Sequence, residues 1–287
     1  MAPAPESFRT AVAPPAGLRA RARQGLRGLY LSGRTLIPPR RQDRFLRCLN
    51  AHFVFAEDRA RFARTIAALK NRGDFLGTDD AVALVRGEAP LDGRYFHLSY
   101  DDGLTCLLEN AAPILHEAGV PAIAFVNSAM AADPDGPVRA AWLQATNYRA
   151  GIGVLDWQGL AALCDAGFEI GAHTRTHRRL SDISADPAQL QAEIAGCKAE
   201  IEAALDLDCR HFAWPYGHLA AADAAVIAAI RAAGYVSAFG SYRIALQPGR
   251  TNPYLIPRHH FEANWPRRWV TWFAQGGIER VQDLPDW

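Results

Sequence analysis

No stretch of about 18 apolar residues occurs anywhere in the chain, so the sequence offers no helix that would span a bilayer. The first residues also lack the short apolar core of a secretory signal, which predicts a cytoplasmic protein. Cysteine is scarce: the five residues at 48, 106, 164, 197 and 209 form no CxxC pair and leave one over. That excludes a disulfide scaffold and favours reduced thiols used as core fillers. Acidic residues are almost missing from positions 1–47, where ten arginines (9, 19, 21, 23, 27, 34, 40, 41, 44 and 47) face only Glu6 and Asp43. The arm therefore carries +8 and the remainder −7 in a chain whose net charge is +1. Such asymmetry reads as a solvated leader or as weak contact with an anionic membrane. Nucleic acid is not an expected partner, because no recognition motif or interleaved aromatics accompany the basic run.

What the chain does have is the composition of a folded protein, 49% hydrophobic and 21% charged over 287 residues. Residues 1–45 read as a basic, partly disordered arm whose first 17 residues are rich in Pro and Ala, and 46–287 as one catalytic domain. Seven short apolar runs read as strands, at 48–55, 95–100, 122–126, 168–172, 211–214, 235–239 and 254–257. Helical stretches at 104–117, 157–166, 187–204 and 220–233 lie between most of them, and the segment 131–153 reads as an irregular insertion. Strands alternating with helices imply an α/β fold with parallel pairing, either an open sheet or a barrel.

Candidate chemistry gathers at the predicted strand ends, where parallel α/β folds bind ligands. The run SYDDG (99–103) delivers Asp101 and Asp102, and HTRTH (173–177) delivers His173 and His177. Two imidazoles and a carboxylate make a set that holds a divalent metal with positions left open for water and substrate. In RHFAWPYG (210–217), Pro215 and Gly217 mark a turn that aims the backbone N–H of Tyr216 as an oxyanion donor. After the last strand, Arg258, His259 and His260 offer a proton donor, and only one of two adjacent histidines points inward from an extended segment.

These three runs, in this order, resemble the motifs of the polysaccharide deacetylase family, the NodB-homology carbohydrate esterases, over residues 48–260. The resemblance implies a distorted barrel of about seven parallel strands and removal of an N-acyl group from an amino sugar or glycan precursor. It implies Asp101 as general base, Asp102, His173 and His177 as metal ligands, Arg210 as the residue holding the base, and Tyr216 as the backbone donor. His259 or His260 is left as the acid, with Arg258 a further possibility at that place. The ion implied is Zn first, with Co, Ni or Fe also suited to the donors. Ser99 and Tyr100 replace the usual Thr and Phe, and no Asp-x-x-Asp-Trp run follows Gly217. Two other readings compete: a hydrolase of a different non-peptide C–N bond, such as a ring amide or formamide, and an inactive carbohydrate-binding module.

Overall fold

The computed structural model describes residues 7–13, 17–39, 42–146, 148–149, 151–277, 279–281 and 284–285, without the side chains of residues 20, 21, 24 and 27. Its centre is a nearly closed barrel of parallel strands. In chain order these are β1 (Phe45–Ala51), β2 (Asp74–Phe75), β3 (Arg94–Asp101), β4 (Ala122–Val126), β5 (Phe168–Ala172), β6 (His211–Ala213), β7 (Ser237–Phe239) and β8 (Arg258–His260). Seven of them run side by side in the order β7-β6-β5-β4-β3-β1-β8, and short β2 adds to β3 off this path. A parallel bridge between Phe239 and Ile256, two residues before β8, brings the ends of the row together.

Alternation along each strand separates two layers. Outward-facing Phe96, Leu98 and Tyr100 of β3 join Leu49, Ala124, Ile170 and Phe212 in the large core under the surrounding helices. Inward-facing Cys48, Ile123, Phe125, Ala213, Phe239 and Ile256 form a second, smaller core within the barrel, closed at one end by the helix Thr78–Arg86. Four of the five cysteines are buried and all five are free thiols, in agreement with their reading as core fillers.

The expected elements recur with differences at their ends. The helices Trp157–Asp165 and Pro187–Leu205 lie where the pattern put them, and Asp156 caps the first by accepting from the Gly159 N–H at 2.7 Å. The stretch 131–153 holds a helix, Pro137–Thr146, in place of an irregular insertion. Of the leader read as disordered, residues 1–6 and 14–16 lie outside the described residues. Its middle forms a short helix, Phe8–Ala11, that packs Phe8 edge-on against Phe53. Of the arm's arginines, Arg40 and Arg41 and the side chains of Arg21 and Arg27 also lie outside the described residues. Arg47 belongs to the barrel: it is buried in β1 and grips Glu279 through Nε at 3.1 Å and Nη2 at 2.6 Å.

Candidate active site

Strands β1, β3, β5, β6 and β8 all deliver polar residues at one end of the barrel. Asp101 is the last residue of β3, and the chain turns at Asp102, which adopts a left-handed φ of 74°. The same unusual backbone recurs at Thr174 (65°), His177 (60°) and Tyr216 (64°). Non-glycine residues in this region cost of order 1 kcal/mol or more each and persist where packing forces them, typically at functional sites.

Asp102, His173 and His177 are buried, with candidate ligand atoms all within 4.8 Å of one another. Asp102 Oδ1 lies 3.7 Å from His173 Nε2 and 3.3 Å from His177 Nε2, and among the described residues no hydrogen-bond donor satisfies it. A buried carboxylate oxygen left so is costly unless a cation completes it. His173 Nδ1–H donates to the Ala213 carbonyl at 2.7 Å, which leaves the Nε2 lone pair facing Asp102. Burial, only partly opposed by the Asp102 charge, pulls His177 down to about 4, so its ring is neutral near pH 7. These three residues fit a divalent cation and could hold one.

Asp101 has a different environment. Arg258, fully buried, reaches across from β8 and donates Nη1 to Asp101 Oδ1 at 2.7 Å and Nη2 to Oδ2 at 2.9 Å. Its remaining donors go to Ser99 Oγ (3.0 Å) and the Gly240 carbonyl (2.8 Å), and Asn50 Nδ2 adds a contact to Asp101 Oδ2 at 3.4 Å. Burial alone would raise the Asp101 carboxyl, but the guanidinium, with help from His173 and His52, holds it well below the usual carboxylate range. It is therefore ionised throughout the physiological range.

This overturns the role given to Arg210. That residue precedes β6 at the opposite end of the barrel, has a side chain that is 42% exposed, and pairs with Asp79 in the first turn of the helix that plugs that end. A side chain ahead of β6 cannot reach a carboxylate at the finish of β3, which lies three places along the row and at the other end of the barrel. The arginine that holds Asp101 is Arg258.

The adjacent histidines separate as alternation requires. His259 faces outward, 3.4 Å from Glu279 within the Arg47 cluster, and so is excluded as an acid. His260 shares the inward side with Arg258 and joins a group that the sequence did not disclose. There Glu262 receives His52 Nδ1 at 3.2 Å, lies 3.3 Å from His260 Nε2, and accepts the Phe53 N–H at 3.3 Å. The His52 and His260 rings are 5.2 Å apart. Burial opposes a charge on His52, but Glu262, together with Asp102 and Asp101, outweighs it and pushes the ring up to about 9. Burial outweighs Glu262 at His260 and takes that ring down to about 4. Of the two rings, His52 is the one whose surroundings favour the charged form. The available signal was positional: His52 follows β1 at the same barrel end where Asp101 closes β3.

Tyr216 lies beside these ligands, its ring 5.3 Å from that of His177 and under the Arg179 guanidinium at 4.5 Å. Among the described residues no acceptor takes its backbone N–H. Gly217 fixes this turn, because a Cβ there would lie 2.4 Å from Ser241 Cβ.

The model of the polysaccharide deacetylase family matches residues 88–238. No curated protein sequence matches the chain. Among solved structures, IcaB from Ammonifex degensii is 19% identical and superposes with a TM-score of 0.62, covering 83% of this chain and 99% of that one. The Streptococcus pyogenes deacetylase PplD is 16% identical with a TM-score of 0.61, covering 82% and 98%. A de-N-acetylase from Aggregatibacter actinomycetemcomitans is 14% identical with a TM-score of 0.60, covering 79% and 98%. At these identities the likeness establishes the shared (β/α)-barrel, while the family match spans more than half of the chain. By that match the chain belongs to the polysaccharide deacetylase family.

Proposed function

We propose that the protein is a metal-dependent deacetylase that hydrolyses the N-acetyl group of an amino sugar in a glycan or glycan precursor. The observation that carries this reading is the division between two neighbouring buried carboxylates: Asp102 with an unsatisfied oxygen between two imidazoles, and Asp101 locked on Arg258. A structural cap would not need both environments. Zn is the ion we favour for the donors Asp102, His173 and His177, ahead of Co, Ni or Fe.

A divalent ion in this site supplies hydroxide at neutral pH by lowering the pKa of water from about 15.7 to near 7. Asp101, kept ionised by Arg258, accepts the proton that the nucleophile gives up. The Tyr216 N–H stabilises the oxyanion that develops on the amide oxygen, a contribution of about 3 kcal/mol for a preorganised donor. An amine cannot leave as its anion, so a proton must reach the nitrogen. His52 holds that proton, Glu262 orients it, and neutral His260 supports the pair. The partly exposed Tyr216 ring beside the site offers a face for a sugar.

The test is acetate release from free, nucleotide-linked, lipid-linked and oligomeric N-acetylated amino sugars, with metal content measured in the same preparations. We expect turnover on at least one class and loss of about two to four orders of magnitude in kcat for Asp101→Asn with the metal retained. Hydrolysis of a ring amide or formamide in place of every sugar would move the activity to another C–N bond. Sugar binding without turnover by the metal-loaded protein would make it a binding module.

A further inference from the structure

The helix Leu18–Arg34 contains five arginines and no acidic residue. Among the described residues it meets the body of the protein along one line. Leu31 packs on Trp272 and Phe273, Gly28 faces the Trp269 ring, and the Arg34 guanidinium lies 6.0 Å over the ring of Trp272. At about 100° per residue, Leu18, Leu26 and Leu29 fall within an arc of about 80° on the side opposite Leu31. All three stand in solvent, at 88%, 68% and 73% exposure. Exposed Arg19 and Arg23, with Tyr30 between them, border this ridge, and exposed Leu36 and Ile37 extend the apolar surface past the helix end.

A narrow leucine ridge bordered by arginines and free of acids is the composition of a helix that lies in a membrane interface. Leucine side chains reach the acyl boundary while arginines extend to the phosphates. The rest of the molecule supplies the matching asymmetry, since residues 1–45 carry +7 and the remainder −6 with buried Arg47 counted in the barrel. A negative surface attracts the first and repels the second, which orients the protein as well as holding it. Charge complementarity thus favours an anionic leaflet over a neutral protein groove.

The helix is also close to the site. From Gly28, a run of rings leads through Trp269 to Trp265 at 6.3 Å and on to His260 at 5.7 Å. We propose that the helix Leu18–Arg34 docks the protein on an anionic lipid surface through the Leu18, Leu26 and Leu29 ridge, and so holds the barrel mouth near material at that surface.

Flotation of the full chain with vesicles of phosphatidylcholine, alone or with one-third phosphatidylglycerol, tests this. The chain should float with the anionic vesicles, weakly with the neutral ones, and less as salt rises. The Arg19→Gln/Arg23→Gln double variant should bind anionic vesicles about 20-fold more weakly, at roughly fivefold per arginine. The Leu18→Ser/Leu26→Ser/Leu29→Ser variant should lose about 100-fold or more, as expected for three leucines withdrawn from an apolar phase. Melting temperatures should stay near that of the parent chain, because every substituted side chain is exposed. Absence of binding to the anionic vesicles, or equal binding by the leucine variant, would overturn the proposal. Self-association of the parent that the leucine variant abolishes, without lipid binding, would assign the ridge to a second copy of the chain.

Discussion

Arg258 and Arg210 test the site one residue at a time, because they carry the same charge in opposite settings. Removing one partner of a fully buried ion pair leaves an uncompensated charge, so Arg258→Met should lower stability by about 3–5 kcal/mol and collapse kcat. Arg210→Ala loses an exposed pair worth about 1 kcal/mol at most, and kcat should stay within about twofold. Denaturant melts and acetate release check both, and a dead but stable Arg210→Ala enzyme would restore the motif-based assignment. Arg210 precedes the run read as a strand at 211–214, so its place at the strand start was legible, but motif order overrode that signal. Arg258 becomes the partner of Asp101 only once β8 pairs with β1 in the register that sets Cys48 against Arg258. The carboxylates and histidines were legible because adjacent residues at one strand end fix their own neighbours.

His52 provides a pH test at the same scale. Its folded pKa, near 9, lies above the ordinary 6.5, so its protonation stabilises the fold fully below about 6.5 and is lost as pH climbs through about 9. A proton donor at this position predicts that kcat falls along the same alkaline limb. Glu262→Gln removes the hydrogen-bonded charge that raises His52, and the limb should move down by about one pH unit or more. A limb that stayed in place would mean that another group donates the proton.

Among the elements, the strands hardest to read are those whose inward residues serve the site. The alternation sought for the last strand favoured 254–257, whereas the ladder is formed by Arg258–His260, a run with no apolar residue. Inward Arg258 satisfies Asp101 and outward His259 joins Glu279, so function has displaced the pattern that signals a strand. The helix Thr78–Arg86 escaped for a different reason: at nine residues it is short, and its buried face, Ala81, Val82, Leu84 and Val85, reads as a local apolar run and not as a repeated period. The turn after β6 was legible from Pro215 and Gly217, and its demand is strict. Gly217→Ala would place a Cβ against Ser241 at a φ of 63°. We expect a loss of about 1–3 kcal/mol in stability and a larger proportional fall in kcat than in substrate affinity, since Tyr216 N–H moves with the turn. Unchanged kcat in a variant with a lowered Tm would remove Tyr216 from the oxyanion site.

At the scale of the whole molecule, the metal-site residues hang from a barrel that has cores of its own inside and outside the sheet. Small metal domains unfold without their ion because ligand binding is most of their folding energy. Here a bound cation would add to a fold already assembled, and its contribution would be limited to RT ln(1 + [M]/Kd), about 4 kcal/mol at a thousandfold excess over Kd. For a chain of 287 residues that corresponds to roughly 10 °C in Tm. Chelation should therefore abolish acetate release while leaving one cooperative melt, lowered by about that amount, and readdition of Zn should restore both. His173→Ala and His177→Ala should melt like the chelated protein, hold little metal, and show no further loss on chelation. Stoichiometric metal in both variants would remove these histidines from the ligand set, and an unfolded chelated protein would show that the ion holds the barrel together.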